Sequence, residues 1–395
     1  MKKIPLITGI LAMILLLLLY PDECLSSALN GLTLWLLVVL PSLFPFVLAS
    51  LMLLQTGIVR LIAHFFSPIT RFLFNAPGES AYIFLTAALS GYPVGARITA
   101  ELYQGGRMSE ADAQAIVRFT SVSGPVFITG AVAVGILGLP EAGVYLATSH
   151  YLGALLTGII FGFFHRRPNV PENRQRNSIK MAFSQFREDA AQCPPMGALM
   201  ADAVEKTMSL MLRIGGYIIL FSVIMQMFSV TGLLNILTAL YSPLAKLVGL
   251  NTAGVAAMIL GSLEMTVGSA NIAAAGLPIS VALPMIVSVI SFGGMCIHMQ
   301  THAVCAAAQL KPKGFTLAKM LHGTISSLLC VLMLQLFPLT AAASSLSGSK
   351  NAAFGGVIFA GAVLLVLLAM RLIQICRHKP AVSRLRYSQG LYQRK

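Results

Sequence analysis

The chain has 395 residues, of which 57% are hydrophobic and only 10% are charged, and its mean hydropathy is +0.82. Soluble domains carry roughly 25% charged residues, so this composition excludes an ordinary soluble protein and indicates a lipid bilayer as the chain's environment. The formal charge of +14 is compatible with nucleic acid. However, the basic residues collect at the ends of apolar runs, as in cytoplasmic loops. We therefore expect no nucleic-acid partner, with an RNA-binding tail at 377–395 as the alternative.

Several apolar runs are long enough to cross a membrane, since a spanning helix needs about 20 apolar residues. They cover residues 4–20, 29–54, 140–164, 214–230, 315–339 and 353–371. A cleaved signal peptide is the alternative for the first run, but Pro21-Asp22-Glu23 follows it without a small-residue cleavage site. We expect a retained helix. The six cysteines form no CxxC pair, so neither a disulfide framework nor a zinc site is expected.

The least hydrophobic internal stretch, 165–207, is predicted to be a cytoplasmic linker between two membrane halves. Its end, roughly 197–213, has apolar and charged residues at helical spacing, which predicts an interfacial helix. The predicted organisation is a transmembrane helix at 1–28, a first half at 29–164, the linker with its interfacial helix at 165–207, a second half at 208–340, a transmembrane helix at 341–376 and a basic cytoplasmic tail at 377–395.

The two halves share sequence at a fixed offset. Residues 55–73 (QTGIVRLIAHFFSPITRFL) align without a gap to residues 230–248 (VTGLLNILTALYSPLAKLV), which preserves a Thr-Gly and a Ser-Pro pair. With a slip of two residues, Val94-Gly95 then falls on Val267-Gly268. The chain is therefore predicted to contain an internal repeat.

The positions of the basic residues predict that the two copies of the repeat have opposite orientations in the membrane. The last span of the first half ends at Arg166-Arg167, whereas the matching run 315–339 begins after Lys311, Lys313 and Lys319. Basic residues mark the cytoplasmic side, so corresponding elements run in opposite directions. This is the inverted-topology repeat of many secondary transporters, whose solute site lies between the repeats near the middle of the membrane.

Short helix-breaking or polar segments interrupt the apolar sequence, two in each half: SGYPVG (90–95), SVSGP (121–125), LEMTVGSAN (263–271) and SFGG (291–294). Proline removes a backbone donor, and glycine destabilises a helix by about 1 kcal/mol. Broken backbone at membrane depth is tolerated only inside protein or beside a wet cavity. Paired interruptions at corresponding positions predict a binding site, and close helix packing is the alternative.

Ionisable residues lie near these interruptions. Glu264 is the acidic residue within the apolar stretch 214–310, and a carboxylate there must be protonated, paired or directed at a cavity. It is a candidate solute or ion contact, with a structural pair to Arg97 as the alternative. Arg97 near a helix N-terminus is a candidate anion partner or a loop residue that anchors topology. His298 and His302 lie one turn apart without the carboxylate of HExxH, which favours polar lining or packing over a metal.

The predicted substrate-binding residues lie in or beside the four interruptions. They are Gly91, Tyr92, Pro93, Gly95, Arg97, Ser123, Gly124, Pro125, Glu264, Thr266, Gly268, Ser269, Asn271, Gly293, Gly294, His298, Gln300 and Thr301. The sequence contains no GxSxG, P-loop lysine, GxGxxG or HExxH motif. We therefore expect no enzymatic activity, no catalytic residue, no metal and no cofactor.

The strings SGYPVGARI, SVSGPVFITGAVAVGILG, EMTVGS and FGGMCIHMQ resemble the YlbJ-type sporulation integral membrane proteins, a stage V sporulation family. That family carries two Gate, or nucleoside-recognition, domains similar to those of concentrative nucleoside transporters, and the resemblance covers about 30–340. It implies an all-α polytopic membrane protein, an inverted-topology repeat of two Gate-type halves with broken or re-entrant helices. It also implies a protein of the outer forespore membrane that moves dipicolinic acid from the mother cell toward the forespore.

Dipicolinate is a planar anion, and its site needs backbone donors, polar side chains and a cation, for which Arg97 is available. The expected partners are this anion and the lipid bilayer, with a homo-oligomer by analogy to Gate-type transporters. The coupling ion and the direction of transport are left open. Glu264 is unfavourable beside an anion, so a nucleoside-like solute stays an alternative, as does a sporulation membrane scaffold that moves nothing.

Overall fold

The computed structural model describes residues 4–106, 108–164, 179–246 and 250–339, and all the regular structure in these ranges is helical. The predicted transmembrane helix at 341–376 and the basic tail at 377–395 lie outside the described residues, as does the first part of the predicted linker.

In its described residues the first half contains eight α-helices and two π-helical segments. The α-helices are α1 (Ile4–Leu19), α2 (Pro21–Leu34), α3 (Leu40–Gln55), α4 (Ile58–Phe74), α5 (Glu79–Ser90), α6 (Val94–Gln104), α7 (Glu110–Thr120) and α8 (Ala142–Phe164). The π-helical segments are Trp35–Val39, which joins α2 to α3, and Phe127–Ile136, between α7 and α8.

The second half follows the same plan after two helices that lead into it. Its elements are α9 (Ile179–Ala191), α10 (Met196–Val230), α11 (Leu233–Lys246), α12 (Thr252–Leu263), α13 (Met265–Ala274), α14 (Ile279–Phe292), α15 (Gly294–Ala307) and α16 (Phe315–Leu336). In both halves one helix, α4 or α11, precedes two interrupted helix pairs and then a long helix, α8 or α16. The predicted repeat is therefore visible in the order of elements.

The aligned segments of the repeat also match in backbone conformation. Gly57 and Gly232 have φ values of 76° and 73°, a left-handed conformation that favours glycine, and each directly precedes the helix that carries the shared Ser-Pro pair. The Thr-Gly match therefore reflects the same turn, made twice.

The structure contains several helices that can cross a membrane. Within the described ranges four continuous helical stretches qualify by length and composition, namely α8, α10, α14 with α15, and α16, and the first two helices form a pair bent by 104°. The predicted runs at 4–20, 140–164 and 315–339 are helices with nearly these bounds. The run at 29–54 is divided among α2, a π-helical segment and α3. The chain is thus an all-α polytopic membrane protein with broken helices.

The predicted interfacial helix at 197–213 is not a separate element. It forms the first part of α10, which has 35 residues and, at 1.5 Å per residue, is about 52 Å long. A hydrocarbon core is only about 30 Å thick, so α10 extends well beyond it. The predicted start of the second half at 208 falls inside this continuous helix.

The main hydrophobic core lies where the two halves meet. It is built from buried side chains of α8 and the Phe127–Ile136 segment of the first half and of α13, α14 and α16 of the second. Tyr145, Ile128, Ile272 and Ile286 in this core are each at most 1% exposed. The interrupted helices are attached to this rigid centre, which fixes their positions relative to one another.

Candidate solute site

All four predicted interruptions are real ends of helices. The helix α5 ends at Ser90 and α6 begins at Val94, while α7 ends at Thr120 and residues 121–124 are not helical. Glu264 is extended, with φ −143° and ψ 126°, between α12 and α13. Gly293, with φ 86°, separates α14 from α15.

Within each half the two interruptions touch each other through backbone. A Cβ atom added to Gly91 would lie 2.8 Å from the backbone nitrogen of Gly124. In the second half a Cβ atom added to Gly294 would lie 2.9 Å from the carbonyl oxygen of Leu263. Only glycine permits these approaches, because any side chain would overlap fixed backbone atoms.

The four interrupted helix pairs line one cavity between the halves, three of them at the interruption itself and the fourth through α15. Its polar wall comes from the interrupted segments, and its apolar wall comes from α3, its preceding π-helical segment, Phe127 and α10. The polar wall is formed by Ser90, Gly91, Tyr92, Ser123, Gly124, Glu264, Met265, Thr266, Cys296, Ile297 and Gln300, and the apolar wall by Val39, Leu43, Val47, Phe127, Leu210, Met211, Ile214 and Ile218. Three of the four predicted interruptions, 90–95, 121–125 and 263–271, thus meet at this cavity, whereas residues 291–294 do not line it.

The cavity is small in this conformation. Its volume is about 40 Å³, enough for a few water molecules, whereas a cavity that holds a benzene ring has about 150 Å³. An aromatic solute therefore requires the walls to separate. Most of the apolar wall comes from α3, its preceding π-helical segment and α10, which are not part of the interrupted helices.

Glu264 lies at the cavity with its carboxylate held by a helix end. Its side chain is 2% exposed, and Oε2 accepts a hydrogen bond of 2.7 Å from the backbone N–H of Val267. Glu264 is thus the N-cap of α13, where the helix dipole favours a negative charge. This local stabilisation explains how the carboxylate is kept inside the molecule with no basic partner among the described residues.

Arg97 is not at the cavity, contrary to the expectation that it supplies the cation. Its Nε donates to Glu101 Oε1 at 2.9 Å, and both side chains are about 60% exposed. The predicted alternative of a pair between Glu264 and Arg97 is also not formed, since each group has another partner. The reason is helical geometry, because Glu101 follows Arg97 by four residues and lies on the same exposed face.

Other predicted residues also lie behind the cavity wall rather than on it: Pro93, Gly95, Pro125, Gly268, Ser269, Asn271, Gly293, Gly294, His298 and Thr301. The side chains of Ser269 and Asn271 bond backbone carbonyls of the preceding turn in their own helix. His298 is 3% exposed and lies between Phe292 and Phe315, with ring centroids 4.7 and 5.0 Å away. The glycines of this group permit close packing, which was the alternative explanation for the interruptions.

Lys319 has a role that the charge pattern did not predict. The sequence suggested a basic residue at the cytoplasmic start of a span, but Lys319 is 0% exposed. Its Nζ donates to the hydroxyl of Tyr92 at 2.9 Å, to the carbonyl of Ser121 at 2.9 Å and to Nδ1 of His322 at 3.2 Å. Lys319 therefore lies directly behind the Tyr92 and Ser123 side of the cavity.

Two histidines extend this buried network. His150 Nε2 accepts from the backbone N–H of Ser123 at 2.9 Å, so the neutral ring carries its proton on Nδ1, which lies 2.8 Å from Ser291 Oγ. His322 accepts from Lys319 on Nδ1, which leaves Nε2 to donate to the carbonyl of His150 at 2.9 Å. The network joins an interruption of the first half to α14 and α16 of the second. The sequence signal that could have indicated this buried network is a lysine and a histidine three residues apart in an apolar run.

Comparison with known proteins assigns the chain to a family. The sporulation integral membrane protein YlbJ of Bacillus subtilis (strain 168) is 30% identical over 319 residues, which are 80% of this chain and 78% of that protein. The chain belongs to the YlbJ family. The model of the Gate family, described as nucleoside recognition, matches residues 36–140 of this YlbJ-family protein. A solved structure of a doubly substituted variant of CNTnw in an outward-facing state has a TM-score of 0.46 and 16% identity, over 75% of this chain and 76% of that chain.

The Gate match contains both interruptions of the first half of this YlbJ-family chain and ends before α8. The second Gate-type copy in 208–340 stays a prediction, supported by the order of elements described above. Membership of the YlbJ family together with the spanning helices makes the chain a multi-pass integral membrane protein of a sporulation family.

Proposed function

We propose that this protein is a transporter, not an enzyme or a scaffold, and that its solute is a small polar anion. Dipicolinic acid is the solute that we infer, moved from the mother cell toward the forespore across the outer forespore membrane. The observation that carries the proposal is the convergence of four interrupted helices, two from each half, on one cavity.

Interrupted helices suit a solute site because they free backbone groups from intrahelical hydrogen bonds. Groups freed at membrane depth need partners, which a polar solute or water supplies. In this cavity the hydroxyl of Ser90 is buried without a hydrogen-bond partner, and the amide of Gln300 lies on the same wall. Hydroxyl and amide N–H groups of this kind can donate to carboxylate oxygens.

Passage of a solute requires the apolar wall to move. The polar wall is fixed by backbone contacts and by the network of Lys319, whereas α3 and α10 contribute only side-chain packing to the cavity. We propose that displacement of α3 and α10 relative to the interrupted helices opens the cavity. The interrupted helices then act as a fixed site, with α3 and α10 as its movable cover.

A nucleoside-like solute is the second candidate, and one observation favours it. The carboxylate of Glu264 borders the cavity together with the amide of Gln300, and these groups fit the hydroxyls and ring nitrogens of a neutral solute. The description of the matched Gate family as nucleoside recognition is consistent with this candidate.

Uptake by vesicles containing the purified protein tests the proposal. Dipicolinate that enters is detected by the luminescence of Tb³⁺ trapped inside, and uptake of labelled uridine is measured in parallel. We expect dipicolinate to enter faster than into protein-free vesicles, with saturation, and uridine to enter at the background rate. Uptake of uridine alone would support the second candidate. Background rates for both solutes would contradict transport and favour the scaffold.

A further inference from the structure

Lys319 is buried, and its Nζ faces three hydrogen-bond acceptors, as many as a protonated ammonium has N–H donors. It is 0% exposed, and its three hydrogen bonds go to a hydroxyl, a carbonyl and a neutral imidazole nitrogen. In the described part of the chain no carboxylate forms an ion pair with it. Buried charges in proteins are ordinarily paired, because transfer of an isolated ammonium out of water is strongly unfavourable.

The other buried ionisable group at the cavity does not neutralise Lys319. The carboxylate of Glu264 is bound to the N-terminus of α13 through Val267, so its charge is balanced locally by the helix end. The hydrogen-bond partners of Lys319 are neutral groups, so a protonated Lys319 has no opposite charge among the described groups that it contacts. An anion near Tyr92 or Ser123 would compensate it.

The position of Lys319 places its charge next to the cavity. Tyr92 and Ser123 line the cavity, and Lys319 contacts the Tyr92 hydroxyl directly and the Ser121 carbonyl two residues before Ser123. On the same side, Ser90 lines the cavity and is 8% exposed, and its buried hydroxyl has no hydrogen-bond partner among the described residues. A free hydroxyl donor and a nearby positive charge together match the oxygens of a carboxylate.

The two histidines of this network are not hydrogen-bonded to each other through their rings. His322 Nε2 donates instead to the backbone carbonyl of His150. The chain of donors therefore ends on a carbonyl oxygen, which passes no proton onward.

We propose that Lys319 is the counter-charge that selects an anionic solute at this cavity, the role that the sequence had suggested for Arg97. This inference rests on the proposed function, since it concerns the same cavity. It assigns the solute class as a carboxylate, bound on the side of the cavity formed by Ser90, Tyr92 and Ser123, with Lys319 acting behind Tyr92 as a specificity-determining residue.

Equilibrium dialysis of detergent-purified protein tests this role with two solutes of the same shape. Dipicolinate is anionic, and pyridine-2,6-dicarboxamide is its neutral counterpart. Because a positive charge close to the site attracts a bound anion without touching it, we expect Lys319→Met to weaken dipicolinate binding by about tenfold or more. Binding of the diamide should change less than about twofold, since the diamide gains little from the charge.

Two further variants make the result decisive. Lys311→Met removes the same charge from an exposed position and should leave binding of both solutes unchanged. Lys319→Arg retains the charge and should retain the preference for dipicolinate, which also covers the case in which Lys319→Met fails to fold. An equal loss for both solutes, or unchanged dipicolinate binding in Lys319→Met, would overturn the inference. Binding without uptake by vesicles would reject the proposed transport while leaving the role of Lys319 intact.

Discussion

Replacement of Gly91 by alanine should disrupt the contact between the two interruptions of the first half. Gly91 has φ 77° and ψ −168°, a conformation that is essentially restricted to glycine and costs other residues about 1–3 kcal/mol. The added Cβ would also lie 2.8 Å from the Gly124 backbone nitrogen, and overpacking of this kind costs about 1–3 kcal/mol. The expected loss in the free energy of unfolding is therefore about 2–6 kcal/mol.

Gly138→Ala is the matched control for this variant. Gly138 also has a positive φ, 63°, but a Cβ atom there meets nothing within 4 Å, so only the backbone cost of about 1–2 kcal/mol applies. Unfolding in mixed micelles titrated with sodium dodecyl sulfate gives both losses, and vesicle uptake of dipicolinate gives their effect on transport. We expect Gly91→Ala to lose uptake and Gly138→Ala to keep it. Equal losses of stability in the two variants would refute the close approach of Gly91 and Gly124.

Two further predictions concern the capping of α13 and the packing of α10. Glu264→Ala removes the acceptor for the Val267 N–H and should lower the free energy of unfolding by about 0.5–2 kcal/mol. Glu264→Gln keeps an acceptor oxygen and should lose less stability. Equal losses for the two variants in the micelle titration would argue against capping. Gly215→Ala would place a Cβ atom 2.6 Å from the ring of Trp35 and should destabilise the fold by about 1–3 kcal/mol. The added Cβ atom of Gly216→Ala would meet nothing within 4 Å, and this variant should stabilise the fold by up to about 1 kcal/mol. Thermal unfolding followed by size-exclusion chromatography gives the relative stability of Gly215→Ala and Gly216→Ala. A more stable Gly215→Ala variant would contradict the packing of α10 on Trp35.

The interruptions and the repeat could be predicted because their signals are local. Glycine at a left-handed position and a polar residue at a helix end act within a few residues of themselves, as at Gly91, Glu264 and Gly293. The Thr-Gly pairs mark the same turn in both halves. The prediction that the interruptions meet at one cavity followed from the repeat, because a site between two repeats is built from elements of both.

The buried position of Lys319 could not be predicted, because it depends on contacts between distant segments. Lys319 lies one turn inside α16, where sequence alone does not distinguish an exposed anchor from a buried group. Its partners Tyr92 and Ser121 are 227 and 198 residues away along the chain. Arg97 was favoured because it adjoins an interruption, but the following Glu101 lies on the same helix face and binds it at the surface.

Protection of Cys296 by the solute tests most directly whether the cavity between the interruptions is the solute site. Cys296 lines the cavity, whereas Cys330 is equally buried and lies outside it. In vesicles containing the protein, a small maleimide is added with or without dipicolinate, and peptide mass spectrometry gives the rate of alkylation of each cysteine. We predict that Cys296 is alkylated when the cavity opens and that dipicolinate slows its reaction while that of Cys330 is unchanged. Absence of reaction at Cys296, or the same rate with and without dipicolinate, would contradict the account.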